Sequence, residues 1–339
     1  LAARGERRKL LCFSGGLGFS MLSAASSRNE DFDIFRQPFE PLHRHTVFVD
    51  PQAEDAEAQL LGHLQSGEIA LVWLETIQVD ANASRPIPAA LVRLIEHHRE
   101  ASGYLVGVDE TQTNLVTGRF LHSQPQIPQP DIVALGSALC DSLLPMGVVL
   151  YREELAQQAG QRHPERLYDL QRRGISQLSA HLALNCLQAI ERDAGLQQAR
   201  DQGEYFRQGL LALQRAFPLI REVRGEGVLL TLELDLRGMP AFVERSFGYL
   251  LWGRLLRDRE GGVAAAVCPI YNNCLRYLPP LDIDRDAIDL ILANLRRALA
   301  RGVAGVLEDC AAYNRQLGDT RTADFLAGLI PATTQGATL

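Results

Sequence analysis

The sequence predicts an α/β protein with a mainly parallel sheet, followed by a smaller C-terminal α+β domain. Three observations carry this. Short apolar runs alternate with helical stretches over the first half of the chain, the pattern of βαβ units. One run, Tyr104–Val108, ends abruptly in Asp109, Glu110, Thr111, Gln112 and Thr113. A carboxylate at the carboxyl end of a buried strand is where open α/β sheets place ligand-binding groups. Near Pro218 the texture changes to closely spaced strands, dividing the chain into 1–217 and 218–339.

The elements follow in order. Residues 1–7 read as the tail of a helix and Lys9–Phe13 as a short buried strand. Ser14–Gly18 is a glycine turn. It has neither the P-loop nor the dinucleotide-fold spacing, so a plain turn is the better reading. Thr46–Val49 is the next strand, broken by Asp50 and Pro51, and residues 52–66 have a helical pattern. Ile69–Leu74 is a strand ending at Glu75. Pro88 suits the first turn of a helix that runs to Gly103, a C′ glycine. After the Asp109 strand, residues 114–130 read as loop, with Gly118, Pro125, Pro128 and Pro130 as punctuation. The segment from Pro130 to Ser137 leads a further strand to the same sheet edge. Met146–Tyr151 is another strand, and residues 176–216 form long helix interrupted near Gly195.

In the C-terminal part, Ile220–Gly225 and Val228–Leu234 read as a hairpin around Gly225–Gly227. A helix covers roughly 240–257. Val263–Cys268 and Cys274–Leu278 are short strands, the second stopped by Pro279 and Pro280. Asp284 is a good N-cap for a helix with Ile288, Ile291, Leu292, Leu295 and Leu299 on one face, and further helices close the domain.

Composition narrows the function. At 339 residues and 46% hydrophobic, the chain can bury a large core. Its net charge of −7, from 41 acidic and 34 basic residues, is spread along the sequence and argues against a nucleic-acid surface. No apolar run reaches the ~18 residues of a membrane span, and no signal peptide is visible, so a cytoplasmic protein is expected. The six cysteines are scattered without a CxxC pair; reduced, buried thiols and no metal site are the expectation. Leu1 stands where methionine would, so an amino terminus that is cut or incomplete is expected. Of the basic residues only Lys9 is lysine, and arginine does not deprotonate to become a nucleophile.

Seven segments, in order, resemble one family. They are Glu75–Gln78, Val108–Thr113, Thr117–Phe120, Pro130–Val133, Leu144–Gly147, Val223–Gly225 and Leu275–Leu281. Over residues 8–300 the chain resembles the class III aminotransferases of the ornithine, acetylornithine and diaminobutyrate type. These are fold-type-I enzymes that use pyridoxal phosphate. The resemblance implies a fold-type-I pyridoxal-phosphate-transferase large domain, with its N-terminal part, including the phosphate-cradling loop and helix, lying before residue 1. It implies that Asp109 bonds the pyridine nitrogen, keeping the ring an electron sink, and that Gln112 contacts the ring hydroxyl. It implies that Arg276 clamps a substrate carboxylate, with Asp80 its partner when none is bound. Without the resemblance, Asp109 reads first as an N-cap or a buried hydrogen-bond acceptor, and Arg276 as half of a surface ion pair.

The family's cofactor-anchoring lysine falls at Ser137. A hydroxyl cannot form an imine, and serine without a base partner carries protons poorly at neutral pH. Other departures agree. Cys140, Asp141 and Ser142 replace glycines that usually follow the lysine. The aromatic-His-Gly segment is altered around Leu17 and Gly18, and no secure phosphate-binding threonine stands near Ile175 and Ser176.

The expectation is therefore a class III aminotransferase-like protein that is not a competent transaminase, acting as a non-catalytic subunit or domain. It is expected to be a homodimer, or a heterodimer with an aminotransferase-like chain, because the family site spans a dimer interface. Pyridoxal or pyridoxamine phosphate is expected to bind only non-covalently, if at all. The alternative is an enzyme of this family using either cofactor in a lysine-independent step on a small amino or keto acid. Asp109, Gln112 and Arg276 would support that chemistry.

Overall fold

The computed structural model describes residues 7–15, 45–79, 83–172, 176–258, 265–268 and 272–334. Two compact units meet at the chain position between Leu196 and Gln197. The first unit is built on a six-stranded sheet. Its strands are β1 (Lys9–Phe13), β2 (Thr46–Val49), β3 (Ile69–Leu74), β6 (Leu105–Glu110), β7 (Ile132–Leu135) and β8 (Val148–Tyr151). They lie in the order β2-β1-β3-β6-β7-β8, parallel except for β8, which pairs antiparallel with β7 at the edge. A two-stranded ribbon, β4 (Ile77–Gln78) and β5 (Arg85–Pro86), follows β3. The mixed, mostly parallel sheet is the one the alternating pattern predicts.

Strand alternation explains the two faces. Leu11 and Phe13 of β1, Val72 and Leu74 of β3, and Val106 and Val108 of β6 share one cluster. Helices α1 (Ala56–Gln65) and α2 (Ala89–Ser102) fill that cluster with Leu60, Leu64, Leu91, Val92 and Ile95. Leu10, Cys12, Trp73 and Ala134 point the other way into a second, smaller cluster. Strands buried on both faces read as continuous apolar runs, which is why they are visible in the sequence. Gly107 is required locally, because a Cβ there would run into the Trp73 ring.

Helix α2 starts one residue later than its proline suggests: Pro88 is the N-cap residue, and Ala89 is the first in the helix. Gly103 ends it at φ 65°, its N–H donating to Arg99 O at 2.7 Å, a left-handed stop that glycine adopts without strain. Helices α3 (Glu153–Arg162) and α4 (Pro164–Arg172) follow β8 and were not visible in the sequence pattern. Helix α5 (Gln177–Arg192) begins at Ser176, whose side chain accepts from Ser179 N at 3.1 Å.

The second unit includes most of α6 (Gly195–Ala216), whose Phe206, Leu210 and Leu213 belong to its core. Its sheet runs β11-β12-β10-β9 and is antiparallel throughout. These strands are β9 (Ile220–Glu226), β10 (Leu229–Leu234), β11 (Ala265–Val267) and β12 (Cys274–Tyr277). One face, with Leu230, Leu232, Leu275 and Tyr277, packs with helices α7 (Ala241–Leu256), α8 (Arg285–Ala300), α9 (Gly302–Gln316) and α10 (Thr320–Thr334) in one core. Asp284 caps α8, its carboxylate accepting from Ala287 N at 2.7 Å. Among the described residues no helix is long and apolar enough to cross a membrane.

Candidate functional site

The carboxyl ends of β6 and β7 form the site. Asp109 and Glu110 end β6 in register with Ala134 and Leu135 of β7. Both acids are buried, yet their environments differ. Glu110 is taken up by structure: Oε1 accepts from Ser123 N at 2.6 Å, Oε2 from the Thr113 hydroxyl. This carboxylate ties the loop after β6 back onto the strand end. Asp109 Oδ1 accepts from Thr111 N at 3.0 Å and from Thr111 Oγ1 at 2.6 Å. The two bonds fix the orientation of a carboxylate that would otherwise be costly to bury. Gln112 follows half-buried in the same turn.

Ser137 is brought to this edge by a close backbone approach. Gly136 lies against Thr111 so tightly that a Cβ would run into the Thr111 carbonyl oxygen. The turn that orients Asp109 and the residue preceding Ser137 are therefore in van der Waals contact. Ser137 itself is half-buried and opens a 3-10 turn, Ser137–Cys140. Its Oγ lies 3.3 Å from Ser142 Oγ, and its carbonyl accepts from Ser142 N at 2.8 Å. Asp141 and Ser142 both adopt left-handed backbone, at φ 53° and 56°, a region that disfavours residues with a Cβ. These are two of the positions where the resemblance puts glycine.

The structure also ties down a third acid that sequence reasoning left without a role. Asp131, just before β7, is 3% exposed; Oδ2 accepts from Arg99 Nη2 at 2.7 Å and Val106 N at 2.8 Å. Its Oδ1 accepts from Arg152 Nη1 at 3.1 Å. One carboxylate thus joins α2, β6, β7 and the end of β8. The segment Pro130–Val133 contains it, but no local spacing points to partners 32 and 21 residues away.

The single lysine stands elsewhere. Lys9 opens β1 and pairs with Glu68 Oε2 at 2.7 Å. Register places Lys9 opposite Ile69 and Leu74 opposite Val108. Lys9 and Asp109 are thus about six residues apart along parallel strands, on the order of 20 Å at ~3.3 Å per residue. They lie toward opposite ends of the parallel strands.

In the second unit, Arg276 is half-buried on β12, in register with Thr231 of β10 and Ala266 of β11. The same face carries Arg224 of β9, which donates to Glu233 Oε2 at 2.7 Å and Glu222 Oε2 at 2.9 Å. Burial pushes the neighbouring Cys274 thiol up to about 12. Asp80, and the altered segment at Leu17 and Gly18, lie outside the described residues, as does Ile175. Among the described residues no group of three His, Cys, Asp or Glu is placed to hold a metal ion.

Comparison with known proteins agrees with the fold. The family model described as aminotransferase class-III matches residues 5–299. N-acetylornithine aminotransferase from Stenotrophomonas maltophilia is similar in structure at 20% identity and TM-score 0.64, over 88% of this chain and 68% of that one. Ornithine aminotransferase from Toxoplasma gondii gives 21% and 0.68, over 87% and 65%. Adenosylmethionine-8-amino-7-oxononanoate aminotransferase from Methanocaldococcus jannaschii gives 21% and 0.74, over 88% and 70%. The chain spans about two thirds of the length of these relatives.

Proposed function

The chain belongs to the aminotransferase class-III family, and from that premise we propose that it does not itself transaminate but serves as a non-catalytic subunit or domain. The observation that carries this reading is the position of Lys9. The only amine-bearing side chain in the sequence opens β1 in an ion pair with Glu68, at the strand end opposite to that of Asp109. At the Asp109 edge the resemblance puts Ser137 where the family has its lysine. Its hydroxyl contacts Ser142 and has no base within the bonds named above. Loss of a general base alone costs typically about 10²–10⁴ in rate.

The residues present fit a pyridoxal-type ring in part. Asp109 is a buried carboxylate oriented by Thr111, suited to holding a protonated ring nitrogen, and Gln112 lies three residues on. The covalent anchor does not fit, because no amine stands at this edge. Any pyridoxal or pyridoxamine phosphate is therefore held without a bond to the protein.

A dimer, with a second copy or with an aminotransferase-like chain, accords with the surface that follows Ser137. Leu143, Val149, Leu150, Tyr151, Tyr168 and Leu178 are all exposed. The buried free thiols and the net charge suit a cytoplasmic protein.

The ordered Asp109 carboxylate favours one second reading. It is a lysine-independent step on a small amino or keto acid; the resemblance gives Arg276 the substrate carboxylate and makes Asp80 the partner of that arginine when none is bound. Titration with pyridoxamine phosphate by calorimetry, on the parent chain and on Asp109→Asn, separates the two. Binding lost in Asp109→Asn supports a working ring site. Absence of binding in both leaves the structural role. Borohydride reduction after adding pyridoxal phosphate tests the lysine argument, with Lys9→Arg to subtract surface labelling. A trapped adduct at Lys9 that is lost in Asp109→Asn would tie the lysine to the ring site and sink the proposal.

A further inference from the structure

A cleft of about 520 Å³ opens among α7, α8 and α9, and its walls include Arg254, Arg257, Asp258, Arg297, Asp309 and Tyr313. It is built wholly from the second unit, and the family resemblance assigns none of these residues a role. Its size falls in the range of small-molecule sites.

Among the described residues the charges do not balance. Arg254 Nε donates to Asp309 Oδ2 at 2.9 Å, and its Nη1 to Asp258 Oδ2 at 3.3 Å. Arg297 Nη2 donates to Asp258 Oδ1 at 3.0 Å. Both aspartates are thereby matched by two arginines, and Asp309 also accepts from Arg301 at 3.2 Å. Arg257 is left over. Its Nη2 contacts Cys310 Sγ at 3.2 Å, and its guanidinium carbon sits 4.4 Å from the Tyr313 ring centroid. Burial raises the Cys310 thiol above its usual range, so the contact is to a neutral group and leaves the charge uncompensated. Among the described residues no carboxylate pairs with Arg257.

A half-buried guanidinium without an anion is poorly used unless something supplies one. Stacking on Tyr313 fixes the plane of the fork, and a fixed fork matches the two oxygens of a carboxylate or phosphate. We propose that this cleft is a binding site for a small metabolite carrying one oxyanion group, with Arg257 as the receptor and Tyr313 as its support. The adjacent Arg254 and Arg297, locked onto aspartates, shape the walls, and Arg257 supplies the excess positive charge.

The test titrates the whole chain with inorganic phosphate and, separately, with succinate, at constant ionic strength balanced by chloride. Thermal unfolding and calorimetry are followed together, since a ligand of the native state raises the midpoint in a saturable way. Saturable binding of at least one anion is expected, and the anion that binds identifies the group preferred. Arg257→Gln should weaken it about tenfold or more, the loss of one charge-assisted contact. Arg257→Lys keeps the charge and guards against a folding defect; it should bind more weakly than the parent but better than Arg257→Gln. Equal binding by parent and Arg257→Gln, or no saturable response to either anion, would overturn the proposal.

Discussion

Gly136 packs against the Thr111 backbone with no room for a side chain, coupling the turn that orients Asp109 to the residue before Ser137. The strain of a larger residue there is steric, because Gly136 has φ −104° and lies outside the left-handed region. Gly136→Ala should force the two turns apart and destabilise the protein by about 2 kcal/mol or more, as overpacking does. Denaturant unfolding measures this. An unchanged midpoint would show that the two turns separate freely.

Asp131 and Arg152 separate buried from exposed ion pairing at one carboxylate. Asp131→Ala strands Arg99, whose side chain is 15% exposed, and the Val106 N–H. It should cost on the order of 3 kcal/mol. Arg152, with its side chain 51% exposed, should cost under about 1 kcal/mol as Arg152→Ala. The ratio of the two losses in urea titrations is the measurement.

Ser142 holds a left-handed backbone with a Cβ in place. Ser142→Gly relieves that conformation, partly offset by the freer unfolded chain, and should stabilise by about 0.5–1 kcal/mol. Asp141→Gly should gain less, since aspartate tolerates this region better. Melting temperatures of the two variants give the ranking.

Ser137→Lys tests the assignment of this position. The variant should form an imine with pyridoxal phosphate that borohydride fixes at residue 137, located by peptide mass mapping, while Ser137→Ala should not. Equal labelling of the two would remove the basis for placing Ser137 at the lysine position.

Cys274 predicts alkaline instability. Burial raises its folded pKa to about 12, whereas an unfolded thiol ionises near ~8.5. Above that pH the unfolded chain releases a proton that the folded chain keeps. The stabilisation is full below pH ~8.5 and falls as pH rises toward about 12. Cys274→Ala should flatten this decline, as read from unfolding midpoints between pH 8 and 11.

The apolar strands, the helix stop at Gly103, the hairpin around Gly225 and the cap at Asp284 were legible because each is a local device. Periodicity and capping act within a few residues, so the chain states them in order. Helices α3 and α4 were not legible, for they contribute little to any core: α3 buries no residue at all.

Of the site, the sequence by itself determined which chemical groups exist: one lysine, a carboxylate at a strand end, and a serine after the next strand. Tertiary structure decided what each group is free to do. It committed Glu110 to the loop and Asp131 to two arginines, and it placed Lys9 at the far strand end beside Glu68. It also left Arg257 stacked on Tyr313 without an acid. The physical reason is range. Strand ends and caps are set by neighbours along the chain, whereas the pairing of charges is set by neighbours across the fold, and those lie tens of residues away.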